Sequence, residues 1–315
     1  MSSCSAPIDF QSPVNDPIHT SGDNAERISI LSYNIQALFG KDPDKIDGLL
    51  NYVTNEGYDF VALQEVFDEN VRRYLVNHID TTRFTSILKK VDYHSFPSSI
   101  YQDAGLFMMS RYPCVDLSGI DFGYGTVTTN GAIHKELTKD LSITTDFLAN
   151  KSVAGSLYIL NDSTKLFLFT THLQAIGSRQ QKRMQARQIR KFITNAVYHL
   201  LREKIVNKPE NLVVLLTGDF NIDAYDDVRF SRLQKYLGYP RDLHKEVNPG
   251  KKEYSMFFKL FRFTRRFDYI FAYDKIGPVT LRKVIPESVN VTDVKGSNGG
   301  SVSDHYALKA SLIIN

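Results

Sequence analysis

Cysteine is almost missing from this 315-residue chain: only Cys4 and Cys114 occur, and Cys4 lies in a polar tail. That argues against a disulfide framework and fits a reducing compartment, although export stays open. Charge of either sign is not in excess either. A net charge of +3 gives no argument by itself for a nucleic-acid partner. No run approaches the ~20 apolar residues that span a bilayer. Met1 to Phe10 lack a basic start followed by an apolar stretch, so no secretory signal is read there. There is no internal repeat and no dividing linker. What remains is ordinary, 42% hydrophobic and 23% charged, in a chain able to bury about three quarters of its unfolded surface.

Residues 1–26, with Pro7, Pro13 and Pro17 among Ser, Asn and Asp, read as a flexible leader. Residues 27–315 read as one domain. A strand is expected from Arg27 to Asn34, then a helix on Ile46, Leu49, Leu50 and Val53 that ends near Gly57. Asp59 to Glu65 reads as a buried strand, and Val71, Tyr74, Leu75 and Ile79 mark a second helix. A strand from Gly105 follows, and 119–152 read as irregular. Gly155–Leu160 and Leu166–Thr171 suggest a hairpin turning at Asn161-Asp162-Ser163. The longest helix is expected over about 178–204. Leu212–Leu216 is apolar throughout, as suits a strand covered on both faces. Strands at Phe267–Tyr273 and His305–Ile314 close the chain. Helices alternating with strands indicate an α/β layered protein.

Polar residues suited to metal or phosphate chemistry stand at the ends of these strands: Asn34, Glu65, His172, Asp219 with Asn221, Asp268, and Asp304 with His305. Singly, each has an ordinary explanation. Glu65 could be an exposed strand end, Asp219 and Asn221 an Asx turn, and His172 a satisfied core histidine. Spread from 34 to 305, together they point to one site built by the whole chain. Hydrolysis of a phosphodiester needs a divalent ion, a base for water, and donors for the phosphoryl oxygens. Carboxylates suit Mg²⁺, and a histidine paired with a carboxylate suits the base.

In this order, Asn34, Leu63-Gln64-Glu65, Gly218-Asp219-Phe220-Asn221, Phe267-Asp268-Tyr269 and Ser303-Asp304-His305 resemble the motifs of the endonuclease/exonuclease/phosphatase superfamily. Within it the chain is most similar to the neutral, Mg²⁺-dependent sphingomyelinases. The words that carry this are Gln64-Glu65-Val66-Phe67-Asp68, Asp103-Ala104-Gly105 with Ser110-Arg111-Tyr112-Pro113, and Thr171-His172-Leu173-Gln174-Ala175. The resemblance implies a DNase I-like, four-layered α/β sandwich of two packed, mostly antiparallel sheets flanked by helices. It implies Glu65 as the main Mg²⁺ ligand with Asn34 beside it, Asp304 adding negative charge, and Mn²⁺ or Co²⁺ as substitutes. It further implies His305 as the base, oriented by Asp268, with Asp219 and Asn221 on the scissile phosphate. His172 would donate to the phosphate, oriented by Asp103. The implied activity is hydrolysis of sphingomyelin, or a related choline phospholipid, to ceramide and phosphocholine. That substrate lies at a membrane surface, so a cytoplasmic or peripheral protein without an obligate protein partner is expected.

The chain also departs from the pattern. Secreted bacterial sphingomyelinases carry an aromatic hairpin before the final Ser-Asp-His, whereas Asn290–Gly300 here has no aromatic residue. Their Thr-Trp-Asp segment is missing, since the chain has no Trp. A substitute membrane contact is Tyr254–Arg266, where Phe257, Phe258, Phe261 and Phe263 mix with Lys259, Arg262, Arg265 and Arg266. The same mixture suits single-stranded nucleic acid, and a Phe face packed in a core gives the same letters. A nuclease or a small-molecule phosphoesterase is the rival reading, with nucleic acid disfavoured by the low net charge. Inositol-polyphosphate 5-phosphatases fit less well, because Arg266-Phe267-Asp268-Tyr269 stands where they carry Trp-Cys-Asp-Arg.

Overall fold

Residues of alternating character in Glu26–Ala37 put Leu31, Tyr33 and Ile35 on one face and Ile28, Ile30, Ser32 and Asn34 on the other, and all of these are buried. The computed structural model describes residues 10–11, 26–37, 42–92, 102–129, 131–139, 149–258 and 263–315. Its elements in the first half are β1 (Phe10–Gln11), β2 (Glu26–Ala37), α1 (Pro43–Glu56), β3 (Phe60–Val66), α2 (Glu69–His78), β4 (Ser86–Leu88), β5 (Phe107–Ser110), β6 (Val127–Thr129) and β7 (Ala132–Glu136). Then come β8 (Ser152–Ile159), β9 (Lys165–His172), α3 (Arg179–Arg202), β10 (Leu212–Asp219), α4 (Asp227–Leu237), β11 (Arg241–Asp242) and α5 (Leu243–Val247). The last elements are β12 (Met256–Phe258), β13 (Phe263–Arg265), β14 (Asp268–Tyr273), β15 (Lys275–Ile276), β16 (Val279–Thr280), β17 (Val284–Thr292) and β18 (Ala307–Ile314).

Two seven-stranded sheets result, in the orders β1-β4-β5-β3-β2-β18-β17 and β11-β14-β10-β9-β8-β7-β6. Each is antiparallel except for one central pair: β2 with β3 in the first, β9 with β10 in the second. A parallel pair needs a crossover, and α1 and α3 supply the two. Both helices start on side-chain caps. Asp42 accepts from Asp44 N ahead of Pro43, and Ser178 accepts from Gln181 N. Helix α1 stops at Gly57, which has φ of 76°.

Three apolar clusters fill the spaces between layers. Ile46, Leu49, Val71 and Leu75 of α1 and α2 cover Leu31, Tyr33, Val61 and Leu63 on the outer face of the first sheet. Ile189, Phe192, Leu233 and Leu237 of α3 and α4 cover Phe167, Phe169, Val214 and Leu216 on the outer face of the second. Between the sheets, Ile28, Ile30, Phe60, Ala62, Leu166, Leu168, Val213, Leu215, Ile270 and Leu308 meet face to face. The fold is the expected α/β sandwich, helices outside and two sheets within.

Several sequence readings change. Residues 119–152 are not irregular throughout: β6 and β7 extend the second sheet in a meander with β8. They are short strands, preceded by Gly123 and Gly125 and separated at Gly131, so alternation is hard to detect. Phe10–Gln11 pairs with Ile87–Leu88 at a sheet edge. Within Asn290–Gly300, Asn290 to Thr292 belongs to β17, which pairs with β18.

Gly218 fixes the register that the site depends on. It lies opposite Thr171 with φ of 129°, and a Cβ there would come 1.9 Å from the Thr171 carbonyl oxygen. Strain of about 1–3 kcal/mol for the φ adds to about 1–3 kcal/mol for overpacking. Gly218→Ala is therefore expected to lose about 3 kcal/mol, or roughly 4–5 °C in Tm. A melting temperature within about 1 °C of wild type by scanning calorimetry, as for a change of about 0.5 kcal/mol, would count against this account.

Candidate active site

The face between the sheets turns polar at one end of β2, β3, β9, β10 and β14. In β2 the order is Ile28, Ile30, Ser32, Asn34, and in β9 it is Leu166, Leu168, Thr170, His172. Strand β10 gives Val213, Leu215, Thr217, Asp219, and β14, running the other way, begins at Asp268 before Ile270 and Ala272. Asp219 lies in register with His172 on one side and Asp268 on the other. Gln64 closes the apolar part, donating across the gap to Thr170 Oγ1 at 3.1 Å.

Glu65 departs from this alternation. An odd residue of β3 should face α1 and α2 with Val61 and Leu63, but φ of 57° redirects it. Its Oε1 instead accepts from Asn34 Nδ2 at 2.8 Å. A left-handed non-glycine residue costs of order 1–3 kcal/mol and persists where the surroundings impose it.

Asn34 Nδ2 also donates to Asp219 Oδ2 at 3.1 Å. His172 Nε2 lies 3.6 Å from Glu65 Oε1 and 3.8 Å from Asp219 Oδ2. His305 Nε2 is 3.6 Å from the same Asp219 oxygen, and its Nδ1 is bonded to Asp268 Oδ2 at 2.9 Å. Asp219 Oδ1 accepts from Asn221 N at 2.8 Å. The Asn221 side chain donates to Leu173 O, and Lys182 Nζ donates to the Asn221 carbonyl at 2.7 Å. Asp304 Oδ2 accepts from Gln36 Nε2 at 2.9 Å. These groups open into a cleft of about 1050 Å³, lined among others by Phe67, Lys151, Tyr225 and Tyr254.

Burial sets the electrostatics. It pushes Asp219 up to about 7, against the opposing pull of His305, and it raises Glu65, whose bond from Asn34 opposes the shift. His172 is held well below its ordinary value by burial, then by Lys151 and His305, so it is neutral. For His305 burial acts downward, but Asp268 and Asp219 overcome it and lift the ring to about 10.

Of the expected site residues, Asn34, Glu65, His172, Asp219, Asn221, Asp268 and His305 come together. Asp304 stands at the cleft behind Gln36 and belongs to neither of the two acid–histidine clusters found among the described residues, Glu65-His172-Asp219 and Asp219-Asp268-His305. Asp103 needs correction. Its carboxylate binds Arg72 Nη2 at 2.8 and 3.0 Å and Lys90 Nζ at 3.2 Å, and it caps Gly105 N. Arg72 is buried and carries a permanent charge, so it outcompetes a neutral imidazole for this acid. Both ring nitrogens of His172 lack a hydrogen-bond partner among the described residues. Arg266 is corrected as well: it is no surface cation but is fully buried, paired with Asp242 and 4.6 Å over the Tyr269 ring.

Strands β12 and β13 form the aromatic hairpin, and Phe257 is half-buried in it. Phe261 and Arg262, and the side chain of Phe258, lie outside the described residues. Sequence reasoning missed Gln36 and Lys151. Gln36 continues the polar end of the Ile28-Ile30-Ser32-Asn34 face by two residues, a signal that was there to read. Lys151, almost fully buried at the entry to β8, had none.

A family model described as the endonuclease/exonuclease/phosphatase family matches residues 31–305. The chain belongs to that family, whose members are hydrolases that act on phosphodiester bonds. No curated protein sequence matches it. Solved structures do share its fold. TDP2 from D. rerio, complexed with a single-strand DNA product, is 18% identical with a TM-score of 0.58, covering 91% of this chain and 98% of the other. Sphingomyelinase C from Streptomyces griseocarneus is 17% identical, TM-score 0.58, covering 91% and 99%. A beta toxin mutant from Staphylococcus aureus with bound magnesium ions is 16% identical, TM-score 0.57, covering 90% and 99%. Among the described residues no helix is long and apolar enough to cross a membrane.

Proposed function

We propose that the protein is a Mg²⁺-dependent phosphodiesterase that hydrolyses sphingomyelin, or a related choline phospholipid, as a peripheral protein at a membrane surface. One observation carries the lipid assignment. The aromatic and basic hairpin is bonded to the segment of His305 itself: Met256 bridges His305, Phe257 N donates to Asp304 O, and Tyr306 N donates to Ser255 O at 2.6 Å. Phe257 and the exposed Arg265 of this hairpin suit a headgroup boundary, and the hairpin is joined to the segment of the candidate base. The fold shared with a sphingomyelinase supports the same reading.

The residues present fit a divalent cation. Glu65 and Asp219 are buried carboxylates held up in pKa by burial, with His172 beside them and unpartnered. Glu65 and Asp219 would hold Mg²⁺, a hard cation that takes one or two carboxylates and keeps waters. The ion would neutralise phosphoryl charge. Asn34 orients Glu65 through its amide nitrogen. Asp268 accepts a hydrogen bond from Nδ1–H of His305, so the proton the ring gives up is the one on Nε2, and that nitrogen then accepts from water. A cation held by Glu65 and Asp219 would offset the carboxylate charge that keeps the ring protonated. His172 offers a neutral ring N–H to a phosphoryl oxygen, and Lys151 adds positive charge at the same wall.

The test is a substrate panel with the purified chain and Mg²⁺: sphingomyelin, lysophospholipids and phosphoinositides in mixed micelles, and single-stranded DNA. Release of phosphocholine from sphingomyelin above all others is expected. Cleavage of DNA with every phospholipid left intact would overturn the reading.

A further inference from the structure

Helix α3 breaks a local charge rule. It holds no Asp or Glu from Arg179 to Arg202, and Arg179, Lys182 and Arg183 crowd its first turns, where the peptide dipoles favour anions instead. Opposite them α4 presents Arg229 and Arg232. The two helices border a groove of about 730 Å³ with no carboxylate among its described lining residues. Tyr236 lies in its wall, with the guanidinium carbons of Arg183 and Arg187 5.8 and 4.9 Å from the ring centre. Arg229 has an acidic neighbour, Asp226 at 3.1 Å, and Lys182 is held by Asn221 O. Arg183 and Arg232 have no ion-pair partner among the described residues. Exposed cations brought this close repel one another, and an anion between them would relieve that.

The groove is continuous with the catalytic cleft. Lys182, Asn221 and Arg229 line both, and the far side of the cleft is the hairpin base at Met256 and Thr264. Groove, cleft and hairpin therefore share one side of the molecule. We propose that the groove binds the phosphate headgroup of an anionic phospholipid lying beside the substrate in the bilayer. This rests on the lipid reading above. A single tyrosine does not make the succession of stacking platforms that a single strand of nucleic acid uses. A compact phosphate flanked by arginine forks is the better match.

Vesicles of phosphatidylcholine and sphingomyelin, with and without phosphatidic acid, test this by co-sedimentation of the full chain. Phosphatidic acid is expected to tighten wild-type binding about tenfold or more, as for a few basic residues at an anionic surface. Arg183→Glu with Arg232→Glu should abolish that gain while hydrolysing neutral mixed micelles at the wild-type rate. Arg202→Glu with Lys208→Glu, the same charge change beyond the groove, should keep it. Equal losses in both double variants, or no response of wild type to phosphatidic acid, would overturn the proposal. So would a groove variant that loses single-stranded DNA binding but still follows phosphatidic acid. If no choline phospholipid is hydrolysed yet only the groove variant loses the phosphatidic acid response, the substrate assignment fails and the groove stands.

Discussion

Asp268→Asn is expected to lower kcat by about 10⁴-fold while leaving the fold intact, as when a triad-type carboxylate is replaced by its amide. Asp268 is fully buried, and Oδ2 holds His305 Nδ1 at 2.9 Å. A carboxylate there accepts a hydrogen bond from Nδ1–H, so the ring loses its other proton from Nε2, and Nε2 is the atom that then accepts from water. An amide nitrogen in the same place would donate to Nδ1 and drive the proton to Nε2, where it blocks proton uptake from water. Stability should fall as well. Asp268 holds the His305 ring up in pKa through a buried 2.9 Å pair, and removing one partner of such a pair leaves the other uncompensated. His305→Ala makes the complementary case. It should lose a similar factor in kcat and likewise lower Tm, because it strands the Asp268 carboxylate. Steady-state rates and calorimetry on both variants settle the matter. An Asp268→Asn enzyme within tenfold of wild type, a change of only about 1.4 kcal/mol in the barrier, would mean that His305 is not the base.

Much of this site was legible because it sits on strands. A strand shows its two faces at period two, so the passage from Ile28 through Ser32 to Asn34, or from Leu215 through Thr217 to Asp219, is written in the chain. So is the burial of Leu212–Leu216 on both faces. Pairing is a different matter. The turn at Asn161-Asp162-Ser163 announces the antiparallel β8–β9 hairpin, but nothing local says that β9 runs parallel to β10, since that register is settled by a crossover and by cross-strand contacts far apart in sequence. The turn of Glu65 into the site was also hidden. Its side chain belongs by count to the other face, and only a positive φ, rarely taken by a glutamate, brings it to Asn34.

Charged residues were misread where their partners lay far away. Arg266 stands among exposed-looking aromatic and basic residues, but Asp242 and Tyr269 enclose it. Asp103 was joined to His172 by resemblance, yet Arg72, 31 residues earlier, has the stronger claim. In both cases a buried guanidinium must find an acid, and sequence spacing gives no hint of which one.

Glu65→Gln separates metal binding from folding. Glutamine keeps the size of the side chain and can still accept from Asn34 Nδ2, so the packing around β3 should survive. What it loses is the charge. In the folded protein Glu65 is raised in pKa by burial and lies near Asp219, an arrangement that costs energy unless a cation shares it. A ligand that binds only the native state stabilises it by about 2.7 kcal/mol at a hundred times its dissociation constant. For a chain of this size that corresponds to roughly 4 °C in Tm. Wild type should therefore melt higher as Mg²⁺ is added, and Glu65→Gln should respond by less than about 1 °C, equivalent to under 1 kcal/mol. Without Mg²⁺ the order should reverse, the variant melting at or above wild type because a buried charge has gone. Turnover at saturating Mg²⁺ should fall about 10²–10⁴-fold, on the scale of losing a charge-stabilising group at the reacting phosphate. A variant whose melting curve still follows Mg²⁺ as wild type does would place the cation elsewhere. The chemistry assigned to the Asn34, Glu65 and Asp219 cluster would then have to be abandoned, whatever the substrate proves to be.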